Sequence, residues 1–184
     1  MEVYVCFCYN KMRVTIKNYE KSNTIKTREG KIMETMQGKK NIVLIGMPGA
    51  GKSTVGVVLA KRLGYRFLDS DLVIQEQTKK LLHELITEHG VDGFLKIEED
   101  INAGLDCEQA VIATGGSVIY GEKAMEHLRE IGCVVYLKLS YKEIEDRLGD
   151  LTARGVALKN GQTLKDLYNE RCLLYTSPSP RDKR

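Results

Sequence analysis

The sequence predicts an α/β fold in three layers, a parallel β-sheet covered by helices on both faces. Three observations carry this reading. Short apolar runs rich in β-branched residues alternate with stretches of helical periodicity, the pattern from which parallel sheets are built. The first of these runs leads into a glycine-rich loop that opens a helix. The length of 184 residues suits one domain with a substantial core, and no apolar run is long enough to span a membrane.

The elements follow in order. Asn41–Ile45 reads as a buried strand. Gly46-Met47-Pro48-Gly49-Ala50-Gly51-Lys52-Ser53-Thr54 then matches G-x-x-x-x-G-K-[ST] without a mismatch. Beyond it, Val55, Val58, Leu59 and Leu63 recur at helical spacing up to Gly64, a natural stop. Arg66–Asp69 is a short second strand that runs into Ser70-Asp71. Helical patterns cover residues 72–76, 81–89 and 94–105. Ala110–Ala113 is a third strand, closed by Thr114-Gly115-Gly116-Ser117. A helix over residues 123–131 leads to a fourth strand at 133–137. Tyr141–Leu148 is helical, with Glu143 placed to pair with Arg147. Residues 149–163 are polar and glycine-bearing, long enough for a mobile lid, and residues 164–171 are helical again.

The flanks differ from this body. Residues 1–40 hold nine Lys/Arg and four Asp/Glu with little periodicity, whereas residues 41–171 hold sixteen against twenty. The formal charge of +3 therefore sits outside the predicted domain, and no nucleic-acid partner is expected from it. Residues 1–40 are expected to be disordered or an over-called extension. Codons for Arg28-Glu29-Gly30 can contain GGAGG, a ribosome-binding sequence suitably spaced for translation to start at Met33. Residues 41–171 form the predicted domain. Residues 172–184 read as the translation of a sequencing adapter, so they are expected to be a non-native tail and the domain to be incomplete at its carboxyl end. The five cysteines show no paired C-x-x-C spacing. Reduced thiols in a cytoplasmic protein without metal–thiolate sites are the expectation.

The glycine loop carries the clearest chemistry. In such a loop the glycines let backbone N–H groups turn inward onto phosphate oxygens, and Gly46, Gly49, Ala50, Gly51 and Thr54 are expected to bind the nucleotide. The helix N-terminus adds partial positive charge. Lys52 is placed to reach the β- and γ-phosphates, and the Ser53 hydroxyl to bind Mg²⁺. A nucleoside triphosphate is thereby expected. Asp69 and Asp71 emerge at the carboxyl edge of the sheet, where ligands of open parallel sheets bind. One can hold Mg²⁺ through water; the other can hydrogen-bond an acceptor hydroxyl and take its proton. A helix cap is the simpler role open to Asp71. Gly115 and Gly116 lie at a third strand end and admit a ligand closely, or form an ordinary turn. Arg154, in the lid, can swing onto transferring phosphate oxygens.

Together these pieces resemble shikimate kinase, within the nucleoside-monophosphate-kinase-like P-loop group. The resemblance runs almost unbroken over residues 41–175. It rests on the glycine loop, Phe67-Leu68-Asp69-Ser70-Asp71, Gly90 through Phe94 to Glu98, Ala113-Thr114-Gly115-Gly116, Val135-Tyr136-Leu137, and Glu170-Arg171 with Leu174-Tyr175. It implies a sheet of order 2-3-1-4-5 and phosphorylation of the shikimate 3-hydroxyl by MgATP. The implied roles are Lys52 and Ser53 on phosphate and Mg²⁺, Asp69 near the metal, and Asp71 on the substrate hydroxyls as base. Gly115 and Gly116 fall at the substrate, Arg154 on the phosphates, and Arg171 on the substrate carboxylate. The family's fifth strand follows the segment matching residues 171–175. It is expected to be missing here, leaving an order of 2-3-1-4, an unpaired edge on the fourth strand and an incomplete adenine pocket. A complete protein is expected to be a monomer without membrane or nucleic-acid partners.

Three positions depart from the family pattern. Leu95 stands where its Phe-Arg-x-x-Glu motif has arginine, Ser117 where it has a third glycine, and Gly155 where a proline follows the lid arginine. Lys96 is no simple replacement, since one residue on a helix is a turn of about 100°. These departures keep open a kinase of another small hydroxylated metabolite. A nucleotide-binding module without transfer activity would not need Asp69, Asp71 and Arg154. No N-K-x-D base-reading motif follows the loop, which argues against a GTPase.

Overall fold

The computed structural model describes residues 2–6, 11–15, 40–148 and 161–176. Its centre is four parallel strands: β3 (Asn41–Ile45), β4 (Arg66–Asp69), β5 (Ala110–Ala113) and β6 (Gly132–Lys138). β3 pairs with both β5 and β6, and β5 pairs with β4, which gives the predicted 2-3-1-4 order. β3 and β5 are buried throughout, as their unbroken apolar character requires of strands covered on both faces. Asn41 ties the lower ends together. Its side-chain amide donates to Cys107 and Ile131 carbonyls, at 2.7 and 3.0 Å, and its Oδ1 accepts from the Ala110 N–H.

The far edge of β6 differs from expectation. β1 (Glu2–Cys6) pairs with it antiparallel, with Val3 opposite Leu137 and Tyr4 opposite Tyr136, and β2 (Lys11–Thr15) pairs with β1. The unpaired edge expected on the fourth strand is therefore covered, in the position where the resemblance puts a fifth strand. Residues 2–6 and 11–15 are strands rather than disordered chain; Met33 and Met36 lie outside the described residues. Deleting residues 1–15 should bare the β6 edge and promote self-association, since an uncovered edge is a template for intermolecular pairing. Concentration-dependent sedimentation reads this, and an unaltered monomer with an unaltered melting temperature would show that β6 needs no cover.

The helices are α1 (Lys52–Leu63), α2 (Ser70–Thr78), α3 (Leu82–Ala103), α4 (Glu122–Ile131), α5 (Tyr141–Leu148) and α6 (Leu164–Thr176). α1 corrects the periodicity reading in one respect. Its buried positions include Gly56 and Ala60, while Val58 faces solvent. A Cβ on Gly56 would lie 2.6 Å from the Phe67 ring, so the small residues let α1 settle close on the sheet. α3 joins two predicted helices across a kink at Gly90, whose φ of 69° suits glycine. Glu143 does not simply pair with Arg147; it accepts from the Ser140 N–H and hydroxyl, both at 2.8 Å, and so caps α5.

α6 extends past the predicted boundary at Arg171. Residues 172–176, expected to belong to a non-native tail, continue the helix, and Tyr175 is buried. Its ring stacks on Tyr136 at 4.6 Å and its hydroxyl donates to the Gly116 carbonyl at 2.8 Å. Residues 177–184 lie outside the described residues, as do 149–160 with Arg154 and Gly155. Among the described residues, no helix is long and apolar enough to cross a membrane.

Candidate active site

The carboxyl ends of β3, β4 and β5 open onto one cleft of about 590 Å³. The phosphate loop follows β3. Gly46, Gly49 and Gly51 all take positive φ, at 148°, 76° and 89°, a run of conformations that side chains resist. At Gly46 a Cβ would also sit 2.7 Å from the Leu137 carbonyl oxygen, so the loop's root is closed to any other residue. Gly49, Gly51, Lys52, Ser53 and Thr54 line the cleft. Ala50 is buried, and neither it nor Gly46 belongs to the wall. Lys52 begins α1 and curls back over the loop, donating to the Gly46 and Met47 carbonyls at 2.8 and 3.0 Å. Burial pushes its pKa down to about 8, against the opposing pull of Asp71. Among the described residues its hydrogen-bond partners are carbonyls alone, so the buried ammonium is poised for a stronger anion.

Asp69 ends β4 and does two things. Its Oδ1 caps α2 by accepting from the Asp71 N–H at 3.1 Å, and its Oδ2 accepts from the Ser53 hydroxyl at 2.7 Å. The capping role considered for Asp71 thus falls to Asp69, leaving the Asp71 side chain free to face the cleft. Ser53 and Asp69 together present two hard oxygen donors beside the loop. Asp71 is half-buried. That burial, followed by the charge of Asp69, pushes its pKa up to about 6, with Lys52 pulling the other way.

The segment after β5 supplies a further wall. Thr114 donates its hydroxyl to the Leu44 carbonyl at 3.0 Å, and Gly115 N–H donates to the buried Ser70 hydroxyl at 3.2 Å. Both glycines are demanded by close approach. A Cβ on Gly115 would lie 2.1 Å from Glu98 Oε1 and 3.0 Å from Asp71 Oδ1. One on Gly116 would lie 2.6 Å from Pro48 and 3.0 Å from Arg171 Nη1. Arg171, on α6, is 2% exposed yet lines the cleft. Its guanidinium sits over the Tyr120 ring at 5.3 Å and donates Nε–H to the Tyr120 hydroxyl at 3.4 Å. That hydroxyl in turn donates to Glu170 at 2.9 Å. The cation is steadied from one side and open on the other.

The structure therefore gathers Gly49, Gly51, Lys52, Ser53, Thr54, Asp69, Asp71, Gly115, Gly116 and Arg171 around one space. Among the lining residues without an assigned site role in the sequence are Glu98, Ser117 and Arg147. Glu98 ends the Phe-x-x-x-Glu segment of α3 and is 1% exposed; burial pushes its pKa up to about 7. Arg147 could be assigned only to a helix pair, whereas it stands at the cleft beside Gly49. Lys96 is exposed and, with Leu95, is absent from the wall, in line with the helix-rotation argument.

An anion-cradling loop, a buried lysine, two acids and a second buried cation can together activate a hydroxyl toward a bound phosphate chain. Comparison with known proteins agrees. The family model for shikimate kinase matches residues 48–181. Shikimate kinase of Clostridium botulinum is 39% identical over 140 residues, covering 74% of this chain and 82% of the relative. Among solved structures, shikimate kinase from Acinetobacter baumannii in complex with shikimate matches with a TM-score of 0.69 at 34% identity, covering 78% of this chain and 82% of the other. Shikimate kinase from Aquifex aeolicus matches with a TM-score of 0.59 at 26% identity, covering 74% and 82% respectively.

Proposed function

This chain belongs to the shikimate kinase family, and from that premise we propose that it transfers the γ-phosphoryl group of ATP to the 3-hydroxyl of shikimate, giving shikimate 3-phosphate and ADP. The observation that carries this reading is that one cleft is lined both by the phosphate loop with Lys52 and by Asp71, Gly115 and Arg171. Donor and acceptor can meet there without water between them.

The residues divide the work as follows. The loop amides and Lys52 hold the β- and γ-phosphates, Lys52 exchanging its loop carbonyls for phosphate oxygens. Arg171 pairs with the shikimate carboxylate, its orientation fixed by Tyr120. Gly115 and Gly116 let the acceptor lie against the backbone. Asp71 accepts a hydrogen bond from the 3-hydroxyl. As the acceptor oxygen bonds to the γ-phosphorus, the bond to the β,γ-bridging oxygen breaks, ADP leaves with that electron pair, and the hydroxyl proton passes to Asp71. Arg154, in the lid segment, would close on the transferring phosphoryl group.

The Ser53–Asp69 pair fits Mg²⁺. The cation prefers hard oxygens, keeps much of its water and commonly takes one carboxylate together with substrate phosphates. Among the described residues no group of three or more His, Cys, Asp or Glu comes together. Ser53 and, through water, Asp69 would therefore hold it with the phosphates supplying the remaining oxygens. When bound it neutralises charge on the β- and γ-phosphate oxygens.

A coupled assay of ADP formation with a panel of hydroxylated carboxylic acids tests the function. Shikimate should be the best acceptor; a better one among the others would move the chain to a sister activity. Leu95 is the one observation favouring that second reading, because it withdraws a guanidinium from the carboxylate. Leu95→Arg should lower KM for shikimate by roughly tenfold or more, the worth of one charge-assisted hydrogen bond. An unimproved KM would favour the other acceptor.

A further inference from the structure

Glu170 and Arg171 are neighbours on α6, and neighbours on a helix do not face each other. One phenol nevertheless joins them. Tyr120 ends the single 3₁₀ turn Val118–Tyr120 that follows the Gly115-Gly116 segment. Its hydroxyl has one proton, which goes to Glu170 Oε1 at 2.9 Å, and its lone pair takes the Arg171 Nε–H at 3.4 Å. The second carboxylate oxygen, Oε2, accepts from the Gln162 amide at 2.7 Å. Both oxygens of Glu170 are thus engaged by neutral donors. Arg171 is buried, yet among the described residues it has no carboxylate within ion-pair distance. Its Nη1 lies beside Gly116 in the wall of the cleft.

Resting on the reading above, we infer that Tyr120 is a positioning residue for acceptor recognition, a neutral spacer that aims the Arg171 guanidinium into the cleft and, with Gln162, keeps the adjoining Glu170 carboxylate from neutralising it. A guanidinium recognises a carboxylate best when its fork is held in place and its charge is not already matched. In a buried setting a carboxylate this near would capture the cation, because attraction between unit charges grows as the dielectric falls. Capture would turn the fork from the ligand, and an anionic acceptor would have to break the pair before binding. The Tyr120 hydroxyl prevents this by standing between the two groups and giving each the hydrogen bond it would otherwise seek from the other. The ring contributes separately, since the guanidinium lies over it at 5.3 Å. An acceptor that carries a carboxylate profits from this arrangement, and an uncharged one gains nothing.

The test compares KM for shikimate with KM for its uncharged methyl ester in the full chain, with KM for ATP as reference and melting temperatures as a check on folding. Tyr120→Phe keeps the ring and removes the spacer. KM for shikimate should rise about tenfold, the lower end for one charge-assisted hydrogen bond, while kcat, KM for ATP and KM for the ester change little. Glu170→Gln keeps an acceptor for the Tyr120 hydroxyl and should leave KM near the wild-type value. Adding Glu170→Gln to Tyr120→Phe removes the competing charge, so most of the lost affinity should return. That rescue separates positioning from packing, since a phenol needed only for the fold would leave the double variant as poor as the single one. An unchanged KM in Tyr120→Phe, equal losses for acid and ester, or no rescue would overturn the inference while leaving the kinase reading intact. Absence of shikimate turnover in the wild type would instead overturn that reading. The ¹⁵N–¹H signal of Arg171 Nε, assigned by its loss in Arg171→Lys, then decides the inference. It should shift in Tyr120→Phe and shift again when Glu170→Gln is added; a signal that stays in place at either step would refute it.

Discussion

Lys52→Ala should lower kcat by on the order of 10²–10³-fold, the loss seen when one preorganised charge is taken from a transition state, while leaving the fold intact. The reason is in the contacts of Lys52. Among the described residues its ammonium hydrogen-bonds the Gly46 and Met47 carbonyls alone, and no apolar cluster includes it. Those carbonyls belong to a loop shaped by its glycines, so the variant should melt close to the wild type. Burial has already stripped water from the lysine and lowered its pKa to about 8, so it remains mostly protonated at neutral pH. A triphosphate would meet a cation with little hydration to displace. Turnover near the wild-type rate would remove the phosphate-loop assignment.

Asp71→Asn should reduce kcat by roughly 10²–10⁴-fold, the range for a lost general base, and leave KM for ATP nearly unchanged. The neighbouring acid should behave differently. Asp69→Asn disturbs the Ser53 contact and the α2 cap, so it should raise the Mg²⁺ concentration needed for half-maximal rate. The pH dependence follows from the raised pKa of Asp71. A base must be deprotonated to act, so wild-type kcat should fall as pH drops through about 6. That acid limb should vanish in Asp71→Asn. Identical kinetics in the two variants would undo the division of labour between the acids.

Much of this arrangement was legible in the sequence, and the reason is locality. The glycine loop needs only its own nine residues and the strand and helix that flank it. Asp69 and Asp71 follow a recognisable strand, so their place at the sheet edge followed from chain direction alone. Gly115 and Gly116 could be located but not explained. Their need for a missing Cβ comes from Glu98, Pro48 and Arg171, each distant in sequence. Glu98 was legible as the end of the family's Phe-Arg-x-x-Glu segment but came with no site role; its burial against Gly115 is a tertiary fact. Val58 was misread because it shares the spacing of Val55, and the Gly56–Phe67 contact that rotates α1 is a tertiary fact. The β1–β6 pairing joins residues more than a hundred positions apart, and nothing local in residues 1–40 signals it.

The central claim is that the cleft delivers the γ-phosphoryl group to a hydroxyl and not to water. The most direct measurement is ³¹P NMR of the full chain incubated with MgATP and shikimate. The account predicts that the γ-phosphate signal is replaced by one phosphate-monoester signal, split by the proton at carbon 3 of shikimate, appearing in step with ADP. Inorganic phosphate appearing in place of the ester, or ATP left intact under conditions where the protein is folded, would contradict it.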